Sequence, residues 1–358
     1  MNIRSIISND NYSREEILYC LNSQGDDELA LLEAGGRIRK QFVSNKVYLR
    51  GLIEYSNICA KNCFYCGIRR ENKTVGRYCL SDENVLDAAR FAMAKNYGSI
   101  VIQSGELSSP DFVKRIEQLI REIKRMSDGN LGITLSLGEQ TEETYQKWYD
   151  AGAHRYLLRI EASNPTLYKK LHPDDPLHSY ETRVNVLQTI KKVGYQTGTG
   201  VMIGLPFQTM EDLADDLCFM RDIDIDMCGM GPYVEHKETP LFQYRDQLMS
   251  QNDRLSLTLK MIATLRIMMK NINIASTTAL QAINKEGRAQ GILAGANILM
   301  PNITPGKFRD SYLLYENKPS TNEEAEDSTS SLEAIILHAG AEIGYGVWGD
   351  SLHYKSKL

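Results

Sequence analysis

The sequence predicts an α/β fold: a (β/α)8 TIM-type barrel with an N-terminal helical extension and a C-terminal extension. Apolar runs of strand length alternate with amphipathic stretches of ten residues or more, the pattern of β–α units and a parallel sheet. Eight such runs occur, near residues 49–55, 99–103, 132–137, 155–160, 197–203, 226–231, 272–277 and 296–300. With their intervening helices they fill roughly 250 residues, the usual extent of such a barrel.

In chain order, residues 1–46 read as a helical lead-in packed outside the barrel, with Ser13-Arg14-Glu15-Glu16 as a helix start. The barrel spans 47–315. Between its first two strands, Ser81 to Lys95 forms a helix that Ser81 caps and that gathers Val85, Ala88, Ala89 and Ala92 on one face. Asp111 to Met126 forms the next, with the stripe Phe112, Ile116, Leu119, Ile120 and Ile123. Residues 316–358 are read as an acidic loop and a C-terminal helix and tail. The loop is Glu316 to Ser331, polar and acidic with little to bury.

With 42% hydrophobic residues, the 358-residue chain can build a sizeable core. Lys and Arg number 41 against 46 Asp and Glu, with no basic block, which argues against nucleic acid as the main partner. No apolar run approaches about eighteen residues, so no membrane span is expected and the chain is read as soluble and cytoplasmic.

Function is concentrated in Cys59, Cys63 and Cys66, spaced C-x3-C-x2-C just after the first strand. Three thiolates on one loop hold three irons of a cubane cluster and leave the fourth without a protein ligand. A structural zinc site instead takes four ligands, usually in two separated pairs, and none of Cys20, Cys79, Cys218 or Cys228 makes a second C-x2-C pair. Disulfides are disfavoured by the odd count of seven cysteines and the metal-loop spacing. The remaining four cysteines read as small buried residues.

Other polar groups fall at strand ends, where barrel enzymes place their chemistry. Gln103-Ser104-Gly105-Glu106 closes the second strand, with a glycine that permits close backbone approach and an acidic acceptor, although a turn glycine beside a surface acid reads the same. Ser136 ends the third strand. Arg159 and Glu161 straddle the end of the fourth on one side; facing inward, they must pair with each other or bind a charged ligand. Arg183 offers a second guanidinium, or a solvated helix arginine. Gly198 to Pro206, including Met202, is glycine-rich without the strand–turn–helix context of a dinucleotide site. Thr277 and Thr278 end the seventh strand.

The cysteine spacing, with Tyr65 directly before the last cysteine, resembles the signature of the radical S-adenosylmethionine (SAM) superfamily. Longer words resemble one branch of it, the HydE family of FeFe-hydrogenase maturases: Arg50 to Cys59, Lys61 to Arg70, Gln103 to Glu106, Thr134 to Glu139, Arg155 to Arg159, Ala294 to Asn297 and Gly346 to Asp350. Biotin synthase and methylornithine synthase share the barrel.

The resemblance implies one 4Fe-4S cluster on Cys59, Cys63 and Cys66. Its open iron chelates SAM and one electron, from a reductant such as ferredoxin or flavodoxin, releases a 5'-deoxyadenosyl radical. Tyr65, Gln103, Gly105, Glu106, Ser136, Arg159, Glu161, Arg183 and Met202 would surround SAM. Thr134, Thr277, Thr278, Arg309 and Tyr312 would border a cavity for a small organometallic or amino-acid-derived substrate. Precursor-making and scaffold maturases would be the partners, in assembly of the diiron subcluster of the hydrogenase.

The chain departs from the family pattern in having no cysteine after Cys228, where some members carry a second cluster, and in Phe308, where a tyrosine is expected. The other readings are a carbon-skeleton isomerase resembling methylornithine synthase, a non-catalytic iron–sulfur carrier and a zinc-stabilised barrel.

Overall fold

The computed structural model describes residues 2–319 and 325–358. Its ring of parallel strands runs in chain order: β1 (Lys46–Ser56), β2 (Ser99–Ser104), β3 (Gly132–Ser136), β4 (Arg155–Leu157), β5 (Gln196–Thr199), β6 (Met227–Cys228), β7 (Asn273–Ile274) and β8 (Ile298–Leu299). β8 pairs with β1, setting Tyr48 opposite Ile298. β7 meets β8 through one parallel bridge, Ala275 to Ile298, where the Ser276 N–H donates to Ile298 O at 3.0 Å and the Asn297 N–H to Ile274 O at 2.9 Å. The sheet therefore closes on itself, which removes open edges.

β1 is buried along nearly its whole length, as a parallel strand covered on both faces must be. The helices Asp82–Ala94 and Pro110–Met126 are capped by Ser81 and Ser109 and bury the two stripes read from the sequence.

The expected strands 197–203 and 226–231 are each broken in two. After β5 and β6, the short segments Met202–Ile203 and Gly231–Pro232 pair with each other as a separate two-stranded sheet. The break lies at Gly200 and Gly229, whose backbones touch: a Cβ on Gly200 would stand 2.1 Å from Gly229 O. The expected fourth strand stops at Leu157, and Glu161 rejoins Val201 only as an isolated bridge.

The lead-in forms three helices, Ile3–Ile7, Arg14–Leu21 and Gly25–Phe42. The second starts at Ser13, whose hydroxyl accepts from the Glu16 N–H while the Glu16 carboxylate accepts from the Ser13 N–H. It packs outside the ring on helices Met210–Asp222 and Gln251–Met268.

The expected loop Glu316 to Ser331 is corrected in its second half. Residues 325–331 begin the helix Ala325–His338, with Ser328 and Thr329 buried and Thr329 Oγ1 2.5 Å from Tyr97 Oη. Residues 320–324 of that expected loop lie outside the described residues. Polar composition hid the helix because its buried stripe combines Ser328 and Thr329 with Leu332 and Ile336.

A further strand, β9 (Glu342–Ile343), pairs with the start of β1. The tail beyond it crosses the N-terminal mouth of the barrel. Asp350 accepts from Arg155 at 2.7 Å and Gln196 at 2.8 Å, and Gly349 O accepts from Arg50 at 3.0 Å and Asn273 at 2.8 Å. This end is plugged, and the opposite mouth carries the candidate site. No helix among the described residues is long and apolar enough to cross a membrane.

Candidate active site

β1 delivers the chain into the cysteine loop at the C-terminal mouth. The loop has little regular structure, so side chains must satisfy its backbone. Arg77 donates to the carbonyls of Asn57, Ile68, Arg69 and Asn72 at 2.6–2.9 Å, and the Asn62 N–H donates to Nε2 of His178 at 2.9 Å. Asn57 clamps the same loop through Gly76 O and Ser311 O.

The three cysteines share one loop and influence one another's charge, with Cys63 buried and Cys59 and Cys66 part-buried. Burial pushes the Cys63 thiol up to about 12, with Cys59 adding to the effect; burial, then Cys63 and Cys59, hold Cys66 well above its ordinary value. Cys59 is raised by burial, and its Sγ accepts from the Glu106 N–H at 3.3 Å. Gly105 makes that contact possible. A Cβ there would lie 2.3 Å from Ile58 O and 2.9 Å from Cys59 Cβ, so this glycine lets β2 approach the cysteine loop.

Beside the thiols lies a ring of four charges. Lys61 Nζ is 3.1 Å from Glu106 and 2.9 Å from Glu139, and it also donates to Leu177 O. Arg183 Nε is 2.8 Å from Glu139, and its NH2 is 3.9 Å from Glu106. Arg183 is therefore a buried member of the site, 8% exposed, and not a solvated helix arginine. Burial raises the Glu106 pKa, while Arg183 and Lys61 oppose the rise.

Arg159 and Glu161 do share a side: Arg159 NH2 stands 2.9 Å from Glu161 Oε2 and donates to Val201 O at 2.8 Å. Glu161 holds a left-handed φ of +66°, a conformation that costs about 1–3 kcal/mol for a residue other than glycine and that concentrates at ligand sites. Tyr65 donates its hydroxyl to His172 Nε2 at 3.2 Å, since His172 Nδ1 faces the Tyr168 carbonyl at 2.8 Å and must carry the ring hydrogen. Met202 and Tyr65 pack on the same small apolar cluster, around Leu205 and Tyr233.

Ser136 lies opposite Gln103 at the ends of β3 and β2, and Gln103 donates to the Tyr312 hydroxyl at 3.3 Å. The residues expected around a substrate are spread more widely. Thr134 lines a cavity of about 40 Å³ together with Arg50 and Asn273, deep in the barrel, and accepts from Arg155 at 2.9 Å. Thr277 stands at the N-cap position of the helix Thr278–Ile283, with its hydroxyl buried and unpartnered, and Thr278 lies near Tyr315. Arg309 donates to the carbonyls of Thr304 and Asn302 at 2.7 and 2.9 Å. Tyr312 lies under Lys318, which donates to Tyr312 O at 2.8 Å and pairs with buried Glu54.

Lys61 and Glu139 escaped the sequence reading as site residues. Lys61 stands between two of the cysteines and Glu139 closes the run Thr134 to Glu139, and neither residue type at its position signals burial without its partners from other loops.

The family model described as Radical SAM superfamily matches residues 53–220. The "[FeFe] hydrogenase maturase subunit HydE" of Thermotoga maritima is 44% identical over 300 residues, 83% of this chain and 82% of that protein. The chain belongs to the radical SAM superfamily and, within it, to the HydE family. The "3-methylornithine synthase" of Methanosarcina acetivorans is 26% identical over 92% of this chain and 89% of its own length. Among solved structures, methylornithine synthase superposes with a TM-score of 0.80 at 23% identity, covering 96% of this chain and 97% of that one. The maturase HydG from Carboxydothermus hydrogenoformans also gives 0.80, at 18% identity, covering 96% and 78%. Both confirm the barrel.

As a radical SAM enzyme, the HydE-family chain implies a 4Fe-4S cluster and SAM, and its residues fit both. Three thiols on one loop, Cys63 buried and Cys59 and Cys66 part-buried, are the donor set that an iron–sulfur cluster takes. The charges fit a zwitterion: Arg159 with Glu161, at 2.9 Å, and Arg183 with Glu139, at 2.8 Å, set buried guanidinium and carboxylate groups side by side, and Arg159 Nε is buried without a hydrogen-bond partner.

Proposed function

We propose that this radical SAM enzyme acts in assembling the diiron subcluster of FeFe-hydrogenase. The observation that carries the reading is the 44% identity to the Thermotoga maritima maturase along most of both chains, against 26% to the methylornithine synthase. Cys59, Cys63 and Cys66 hold one 4Fe-4S cluster, which with SAM supplies a 5'-deoxyadenosyl radical.

The chain's own residues bind and orient. Glu106 takes the ammonium of the methionine moiety, Arg183 its carboxylate, and the Arg159–Glu161 pair the ribose side, with Gln103, Gly105 and Ser136 completing the polar wall. Tyr65 and Met202 flank the adenine. Thr134, Thr277, Thr278, Arg309 and Tyr312 border the space for a small organometallic or amino-acid-derived substrate.

The catalytic unit is the barrel, residues 47–315, between the lead-in and the C-terminal extension. A precursor-making maturase supplies the substrate, a scaffold maturase receives the product, and a ferredoxin or flavodoxin supplies the electron, all in the cytoplasm. The test is anaerobic maturation of apo-hydrogenase with the partner maturases, with and without this protein. Hydrogen evolution that requires this protein supports the reading. Activity equal without it, alongside isomerisation of a small amino acid, would move the chain to the methylornithine synthase type.

A further inference from the structure

Glu139 is the hinge of the charge ring beside the cysteines, and the proposed function gives it no task. One of its carboxylate oxygens lies 2.9 Å from Lys61 Nζ and the other 2.8 Å from Arg183 Nε. Lys61 Nζ donates to Glu139 and to Leu177 O and stands 3.1 Å from Glu106 as an ion pair. Its side chain is 5% exposed, so it cannot turn out to water when one acceptor is claimed by another cation. Two cations and two carboxylates balance.

We propose that Glu139 is a positioning residue that holds Lys61 and thereby frees Glu106 to bind the ammonium of SAM. This rests on the assignment of Glu106 to that ammonium. When the ammonium arrives, Lys61 keeps Glu139 and Leu177 O, and Glu106 changes partner without leaving a buried charge bare. Without the Glu139 charge, Lys61 has Glu106 as its one carboxylate. The lysine and the incoming ammonium then compete for the same oxygens, which weakens SAM binding through its amino group alone.

The experiment is equilibrium binding of SAM to the anaerobically reconstituted protein, together with the change in the electron paramagnetic resonance signal of the reduced cluster as SAM is added. Iron and sulfide content is measured in each variant. Glu139→Gln keeps the shape, removes the charge and is expected to raise the Kd for SAM roughly tenfold to a hundredfold, the usual cost of leaving a buried charge without its partner. In Lys61→Met/Glu139→Gln the competitor is gone, and the Kd is expected to return to within about threefold of the original protein.

A purely structural role for Glu139 would not be rescued by removing Lys61, so a double variant as weak as the single one overturns the proposal, as does unchanged SAM affinity in Glu139→Gln. If Glu139→Gln does not take up the cluster, Lys61→Met decides alone: affinity equal to or tighter than the original supports the proposal and weaker affinity overturns it. Failure of the underlying reading looks different, since the unmodified protein would then carry a cluster whose signal ignores SAM.

Discussion

The backbone N–H of Glu106 donates to Sγ of Cys59 at 3.3 Å, so the end of β2 is tied directly to the cysteine loop. The two halves of the site, thiols and carboxylate, cannot move independently. Gly105 is the point where they touch.

Gly105→Ala places a Cβ 2.3 Å from Ile58 O, a backbone atom that cannot swing aside. The cysteine loop must shift, at a cost of about 1–3 kcal/mol. The expected outcome is a folded protein with a lowered denaturation midpoint and less than half the iron and sulfide per chain. Full cluster uptake would show that the loop position tolerates the shift.

Gly138 holds φ at +77°, and a Cβ there would meet the Glu106 carboxylate at 2.2–2.5 Å. Gly138→Ala therefore combines backbone strain with displacement of that carboxylate. SAM affinity is expected to fall at least about tenfold, with cluster absorption retained. Binding titration against absorption separates the two effects.

Glu54 and Lys318 form an ion pair buried in the barrel mouth, with Asn302 donating to the second Glu54 oxygen at 3.1 Å. Lys318→Met strands the carboxylate in a site that is almost fully enclosed, which costs about 3–5 kcal/mol. Lys318→Met/Glu54→Gln should recover most of that loss in urea unfolding. A single variant as stable as the original would mean that the pair contributes nothing.

Much of the fold was legible because hydrophobic periodicity reports burial. The stripe Phe112 to Ile123 and the near-continuous burial of β1 follow from it directly. Where backbone contacts decide, the pattern is silent: the break at Gly200 depends on Gly229, which is distant in sequence. The helix Ala325–His338 hid because part of its buried face is Ser328 and Thr329. In the site, the cysteines could be read from spacing alone. Lys61 and Glu139 could not, since a buried lysine is recognisable only when its carboxylate partners, from other loops, are in view.

Burial, and then the neighbouring Arg155, lower the His154 pKa to about 3 from its ordinary 6.5, while the ring packs against Trp348, tilted by 35° with centroids 4.4 Å apart. Folded, His154 stays neutral through that window; unfolded, it takes a proton near 6.5. The unfolded chain therefore binds more protons between those values, and the His154 contribution to stability is lost as pH falls below about 6.5. Asp216, pushed up to about 7 by burial, works in the opposite direction, so the clean quantity is a difference between variants. His154→Asn should gain on the original protein by up to about 1.4 kcal/mol per pH unit between pH 6 and 4. Denaturant unfolding at several pH values checks this, and a constant gap would contradict it.

The central claim is that the three cysteines carry a cluster that cleaves SAM. The most direct test is anaerobic reconstitution with iron and sulfide, reduction with dithionite in the presence of SAM, and chromatography for 5'-deoxyadenosine. The original protein is expected to yield 5'-deoxyadenosine and Cys63→Ala none, and the variant's iron–sulfur absorption should also be lost while its fold persists. A cluster that forms but leaves SAM uncleaved, or a Cys63→Ala variant that keeps a full cluster, would contradict it.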